Sequence, residues 1–291
     1  MDKTLTTASG AQYGFIDYGP AGGTPVLWCH GGPGSRFEPE WLAADAAGVG
    51  LRIIGFDRPG YGLSPPQPGR TIVSVVSDLL ELLARLDVSS FLTVGVSTGG
   101  VYALAAAALA PARVLGVLMC GAMTDMSFTP ARMTMHVPQV RAIWDAPSRD
   151  AALAAATDAY GEGFSKLLDG GMSGVLAPSD AEIFADRQWM TAAMRGFPAN
   201  STFGMQGYVD DRIADGPGWG DIDLAPVTCP VTVLHGGLDQ LADVMQAKHT
   251  AELVPHARLV IVPDAGHFSI ERDVVAELTA LLASDETQPR E

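Results

Sequence analysis

Ser97, Asp239 and His267 are residue types that together can move a proton and attack a carbonyl carbon. Ser97 lies in Gly95-Val96-Ser97-Thr98-Gly99-Gly100, between an apolar run, Phe91–Val96, and an Ala-rich helical stretch, Val101–Ala110. That setting makes the G-x-S-x-G pattern a candidate nucleophile elbow. A sharp strand-to-helix turn pushes the hydroxyl out of the sheet, and small neighbours prevent a clash in the strained turn. The helix N-terminus favours negative charge developing beside it. His267 lies in Val262-Pro263-Asp264-Ala265-Gly266-His267-Phe268, and Asp239 in Leu234-His235-Gly236-Gly237-Leu238-Asp239. Nucleophile, acid and base follow one another in the order that suits acyl transfer on an open α/β sheet. Asp125 and Asp243 are alternatives to Asp239 as the acid.

Acyl transfer also needs two preorganised N–H donors for an oxyanion. The amide of Thr98, next after the nucleophile, is one candidate. Gly32, in the loop His30-Gly31-Gly32-Pro33-Gly34, is the other, because glycines let backbone approach a substrate. His30, at the head of that loop, is expected to orient it by hydrogen bonds. His136, His235, His249 and His256 have no ligand cluster around them and read as surface or packing residues.

These groups need a scaffold, and its periodicity is visible. Strands are predicted at Ala11–Tyr18, Pro25–Cys29, Leu51–Phe56, Phe91–Val96, Val114–Cys120, Val231–Leu234 and Arg258–Val262. Helices are predicted on the i, i+3, i+4, i+7 face Ile72, Val75, Val76, Leu79, Leu80, Leu83 and Leu86, over Val101–Ala110 and Leu241–Leu253, and on the face from Val274 to Leu282. Short, wholly apolar strands between helices mean a mostly parallel sheet covered on both faces. The candidate groups all follow strand C-termini, where open α/β sheets place their sites. From Met123 to Asp223 there is no good strand, only helical pieces. Ser179-Asp180-Ala181-Glu182 reads as a capping box with Ser179 as the cap. Trp144, Tyr160, Phe164, Phe184, Trp189, Met190, Met194 and Phe203 are scattered through this region, which reads as a helical cap over an apolar pocket. The expected division is a core of residues 1–123 and 224–291 and a cap of residues 124–223.

Bulk properties exclude several classes. The chain has 291 residues, 47% hydrophobic and 18% charged, which is globular and rather apolar. A net charge of −15 repels phosphate backbones, so no nucleic-acid partner is expected. The three cysteines, Cys29, Cys120 and Cys229, are widely spaced and form neither a disulfide framework nor a zinc motif. They read as small buried hydrophobes, with Cys29, beside the glycine loop, the one placed for modification. The start of the chain lacks an apolar signal core, and the longest apolar run, Val101 to Pro111, is too short to span a bilayer. A soluble cytoplasmic protein is expected, with no membrane partner, and Ser284–Glu291 as a frayed tail.

The motifs resemble the α/β-hydrolase superfamily over nearly the whole chain. Three stretches resemble a branch of single-domain bacterial hydrolases: His30-Gly31-Gly32-Pro33-Gly34-Ser35-Arg36, Asp57-Arg58-Pro59-Gly60-Tyr61-Gly62, and Trp219-Gly220-Asp221-Ile222-Asp223-Leu224. The resemblance implies an eight-stranded, mostly parallel sheet with helices on both faces and a helical cap insertion. The HGGPG stretch is also similar to proline iminopeptidases, which recognise a free amine with acidic cap residues; here Glu162, Glu182 and Asp186 could do so. That family's elbow usually reads Gly-Gly-Ser-Trp-Gly, and its counterpart of Asp57-Arg58-Pro59 usually has an Asp-Gln-Arg pattern, so the match is partial.

The expected activity is cleavage of a small or medium apolar ester, thioester or lactone through an acyl-enzyme on Ser97, with no cofactor or metal and a small-molecule substrate. The alternatives are an iminopeptidase-like aminopeptidase, a lyase or C–C hydrolase on the same scaffold, and a ligand-binding protein without catalysis.

Overall fold

The computed structural model describes residues 3–134, 138–168, 174–216 and 218–285. Its sheet contains β1 (Lys3–Thr6), β2 (Gln12–Tyr18), β3 (Thr24–Cys29), β4 (Leu51–Phe56), β5 (Phe91–Val96), β6 (Val114–Cys120), β7 (Val231–Gly236) and β8 (Arg258–Val262). The strand order is β1-β2-β4-β3-β5-β6-β7-β8. The β1–β2 and β2–β4 pairings are antiparallel and the rest are parallel. β3 sits between β4 and β5, so the chain winds in opposite directions from it. The loops after β3 and β5 therefore face each other across the switch point, where a crevice opens.

The first three helices are α1 (Ala43–Gly48), α2 (Ile72–Arg85) and α3 (Gly100–Leu109). Successive side chains of a strand point to opposite faces, and here both faces are covered. Leu27 and Cys29 of β3, with Val117 and Met119 of β6, pack in one core cluster with α2 and α3. Val26 and Trp28, with Leu118 and Cys120, enter a second cluster on the other face, together with Leu42 and Ala46. This two-sided burial is why the strands read as unbroken apolar runs. Each fully buried Val, Leu or Ile contributes about 1.5–3 kcal/mol relative to remaining exposed.

Between β6 and β7 the described residues form helices: α4 (Thr129–Met133), α5 (Pro138–Trp144), α6 (Arg149–Tyr160), α7 (Ser165–Leu168), α8 (Pro178–Phe184), α9 (Arg187–Asn200) and α10 (Gln206–Asp215). They have their own core, in which Ile143, Phe164, Tyr208 and Val209 pack with Tyr61 of the sheet domain. After β7 come α11 (Val244–Leu253) and, after β8, α12 (Val274–Asp285), whose Val274, Leu278 and Leu281 lie in the second cluster. Among the described residues no helix is long and apolar enough to cross a membrane.

Three local expectations differ. β1 was not foreseen: it is an edge strand, almost wholly exposed, so it carries no apolar pattern. α11 starts at Val244 rather than Leu241, because Asp239 takes the amides of Leu241 and Ala242 and Asp243 caps the helix by accepting from Met245 N. Ser179 is not the cap of α8. Ala177 holds that position, with Pro178 starting the helix, and Asp180 Oδ2 accepts from Ala177 N at 3.1 Å. Ser179 Oγ donates to Asp264 O instead, at 2.8 Å. Residues 286–291 of the expected tail, and His136, lie outside the described residues.

Candidate active site

The elbow is set by close packing. Ser97 has φ +51°, a left-handed conformation that costs an L-residue about 1–2 kcal/mol. Its flanking glycines are sterically required. A Cβ on Gly95 would stand 2.5 Å from Gly100 Cα, and one on Gly99 would overlap the carbonyl oxygen of Cys29. α3 can approach the sheet this closely only because its first residue is Gly100, where a Cβ would meet that of Ala122 at 2.5 Å. Met123 N donates to Ser97 O at 3.1 Å, tying the elbow to the segment after β6.

β7 and β8 deliver the other two groups. Asp239 is buried, and its Oδ1 accepts from Leu241 N at 2.8 Å and Ala242 N at 2.9 Å. Its Oδ2 faces His267 Nδ1 at 2.7 Å. An ionised carboxylate only accepts, so Nδ1 carries the hydrogen and Nε2 the lone pair. Burial works against the imidazolium, but Asp239 outweighs it and raises His267 above its ordinary value of 6.5. Burial likewise works against the Asp239 carboxylate, and His267 outweighs it, lowering the aspartate. His235, read from sequence as a surface or packing residue, is fully buried beneath the pair. Its Nε2 donates to Ala242 O at 2.7 Å and lies 3.4 Å from Asp239 Oδ2, and burial keeps it neutral. The other two aspartates serve turns: Asp125 accepts from Ser127 N, and Asp243 caps α11.

The loop after β3 closes the site. Gly31 N donates to Glu38 Oε2 at 2.9 Å, so that amide is committed and Gly32 is the next one along. A Cβ on Gly32 would lie 2.7 Å from Thr98 Oγ1, which brings the two candidate oxyanion residues together. His30 is buried and neutral: Nδ1 donates to Gly31 O at 2.7 Å, and Nε2 accepts from Arg58 N at 3.1 Å. It orients the loop, as its position suggested.

The DRPGYG stretch is the brace behind this loop. Asp57 Oδ1 accepts from Arg36 N at 2.8 Å and Asp57 Oδ2 pairs with Arg36 Nη1 at 2.5 Å, which locks the two motifs together. A Cβ on Gly62 would overlap the Asp57 carboxylate. Arg58 donates to the carbonyls of His30 and Gly31 and pairs with Asp211 of α10 at 2.8 Å. Arg70 pairs with the same carboxylate at 2.5 Å, and Tyr61 donates to it at 2.8 Å. All four side chains are buried. Burial opposes the Asp211 charge, but the two guanidiniums outweigh it and hold the carboxyl far below the usual range.

Sequence reasoning missed several residues here. Asp180, buried on α8, accepts from the amides of His267 (3.2 Å), Phe268 (3.0 Å) and Ser269 (2.8 Å), and so fixes the histidine loop from the helical insertion. Glu38 also accepts from Trp28 Nε1 at 2.9 Å, and Glu271 from Trp41 Nε1 at 3.3 Å. Burial raises Glu38 to about 7; burial and the nearness of Glu38 raise Glu271 to about 8. No sequence motif flags any of these, because their partners are remote in the chain.

Ser97, Gly32 and His267 line one cavity of about 590 Å³, with Phe184, Trp189, Met190 and Met194 on its walls. The aromatic residues of the insertion divide. Tyr160, Phe184 and Trp189 face the cavity, while Phe164 and Trp144 pack inside the helical layer. The expected amine-binding acids are not on the wall: Glu182 pairs with Arg272 at 3.5 Å on the surface, Asp186 caps α9, and Glu162 is exposed. Cys29 is buried and its thiol is pushed up to about 12 by that burial, so it is not placed for modification; Cys229 is only half-buried. Among the described residues no group of three or more His, Cys, Asp or Glu is arranged to hold a metal ion.

A family model described as alpha/beta hydrolase fold matches residues 24–273, and the chain belongs to that family. It is similar to an uncharacterized hydrolase, YcgS, of Bacillus subtilis (strain 168), 25% identical over 264 residues, which cover 87% of this chain and 88% of that protein. It is also similar to a probable proline iminopeptidase of Leptolyngbya boryana, 25% identical over 302 residues, covering 89% and 86%. Among solved structures it shares its fold with the enol-lactonase from Burkholderia xenovorans LB400, at TM-score 0.72 and 18% identity, covering 97% of this chain and all of that one (100%).

Proposed function

We propose that the protein is a serine hydrolase that cleaves a small or medium ester, thioester or lactone of largely apolar body through an acyl-enzyme on Ser97. The observation that carries this reading is the meeting on one cavity wall of a strained elbow serine and His267, whose Nδ1 lies 2.7 Å from the buried Asp239 carboxylate. Ser97 Oγ attacks the carbonyl carbon while His267 Nε2 takes its proton. The amides of Gly32 and Thr98 hold the oxyanion. The tetrahedral intermediate collapses, and His267 returns the proton to the leaving oxygen or sulfur. Water then attacks the acyl carbon by the same route and frees Ser97. Asp239 keeps the imidazole in the working tautomer and stabilises the imidazolium. Residues 124–223 act as the cap that covers the cavity.

A second reading, an aminopeptidase, is favoured by one observation. Glu38 and Glu271, not the acids expected from sequence, stand on the cavity wall and could meet an amine. A panel of p-nitrophenyl esters from acetate to longer acyl chains, beside aminoacyl p-nitroanilides, separates the two with wild type and Ser97→Ala. The expected result is ester turnover by wild type, lower by about 10⁴–10⁶-fold in Ser97→Ala. Anilide turnover without ester turnover would replace the esterase reading. Equal ester turnover by both proteins would remove Ser97 as nucleophile.

A further inference from the structure

Arg212 stands apart from the other buried arginines. Arg58 and Arg70 share Asp211, and Arg36 has Asp57. Arg212 is only 5% exposed, yet no ion pair among the described residues includes it. Its Nε is buried without a partner, its Nη2 reaches Gly32 O at 3.3 Å, and its Nη1 lies 3.8 Å from Met123 Sδ. The guanidinium carbon lies over two aromatic rings, 4.6 Å from the centroid of Trp144 and 4.3 Å from that of Tyr208. These contacts hold its plane without neutralising it. Asp215, three residues further along α10, is the carboxyl whose charge favours the Arg212 cation. Burial and the neighbouring charge of Asp211 push Asp215 up to about 7, so it does not supply a full counter-charge at neutral pH. A buried cation is costly unless an anion or strong acceptor meets it.

The guanidinium lines the same cavity as Ser97 and His267. It is close to the chemistry as well: the Cβ position of Gly32 is 3.7 Å from Arg212 Nη2 and 2.7 Å from Thr98 Oγ1. Tyr160, also on the cavity wall, has its hydroxyl 3.2 Å from that of Tyr208. A planar fork of N–H donors with phenol hydroxyls beside it matches a carboxylate. A phosphate dianion would call for more than one cation.

We propose that Arg212 anchors a carboxylate carried by the substrate, so that the ester, thioester or lactone has an acid group a few carbons from its scissile carbonyl. This rests on the hydrolase reading above. The apolar walls would hold the intervening chain, and the anchor would fix how the carbonyl meets Ser97.

The test compares two esters of equal chain length, p-nitrophenyl valerate and mono-p-nitrophenyl glutarate, in wild type, Arg212→Met and Arg212→Lys. The measured quantity is the ratio of kcat/KM for glutarate over valerate, which is insensitive to a general loss of active enzyme. The ratio is expected to fall by about 10- to 100-fold in Arg212→Met, and by less in Arg212→Lys, which keeps the charge and loses the fork. A wild-type protein that cleaves the valerate ester but rejects the glutarate ester, or a ratio unchanged in Arg212→Met, overturns the proposal; in the second case Arg212 only supports the Gly32 loop. Calorimetric titration with free glutarate is the second readout. Binding by wild type that is weakened in Arg212→Met or Arg212→Lys supports the anchor, and no binding by wild type overturns it. Because this readout needs no turnover, it decides the anchor even if neither ester is cleaved, an outcome that would count against the hydrolase reading.

Discussion

Ser97 holds a left-handed backbone because Gly95 and Gly99 leave space for the turn, and the Asp239–His267 bond fixes which imidazole nitrogen can accept its proton. Asp239→Asn removes the carboxylate and presents an amide that can favour the wrong tautomer, so turnover should fall by about 10⁴-fold. The pH profile carries a second sign. A histidine acts as a base only when neutral, and the value of His267, the proposed base, lies above 6.5, raised by Asp239 against the effect of burial. Activity should therefore drop as pH falls through a point above 6.5, and in Asp239→Asn that acid limb should move down, since the largest charge opposing burial is gone and only Asp180 and Glu271 still favour the imidazolium. A kcat/KM profile that keeps its acid limb in the variant would contradict the assignment. These three residues were legible in the sequence because the elbow and the strand ends are local patterns. Asp180 was not, since it acts on amides 87 to 89 positions away. Arg212 and Asp211, in Val209-Asp210-Asp211-Arg212, belong to no motif that the sequence singles out.

At the scale of elements, seven of the eight strands announced themselves through apolar or alternating runs, although β8 buries none of its residues fully, and only β1, an exposed edge, gave no such signal. The helical insertion was legible as an absence of strands, but not the way it grips the sheet domain. α8 does so through Asp180, and α10 through Asp211, whose carboxylate meets Arg58, Arg70 and Tyr61. Asp211→Asn leaves two buried guanidiniums without their counter-ion and should cost about 3–5 kcal/mol in urea unfolding. The wild-type carboxyl is held below its unfolded value. Its contribution is thus fully present above the unfolded value of about 3.9 and is lost as pH falls toward the folded one. A variant within about 1 kcal/mol of wild type would mean that the network does not hold α10 in place.

Over the whole molecule, the reversal of strand order at β3 and the insertion between β6 and β7 place one cavity over the loops that carry Gly32, Ser97 and His267. The family was readable from the motifs and their order. The cavity's charged wall, with Glu38, Glu271 and Arg212, emerges only when loop and insertion meet in space. The most direct test of the central claim is covalent labelling with a fluorophosphonate ester, followed by intact mass and peptide mapping of wild type and Ser97→Ala. The account predicts one adduct per chain on Ser97 in wild type and none in the variant. An unmodified wild type, or equal labelling of both proteins, would contradict it.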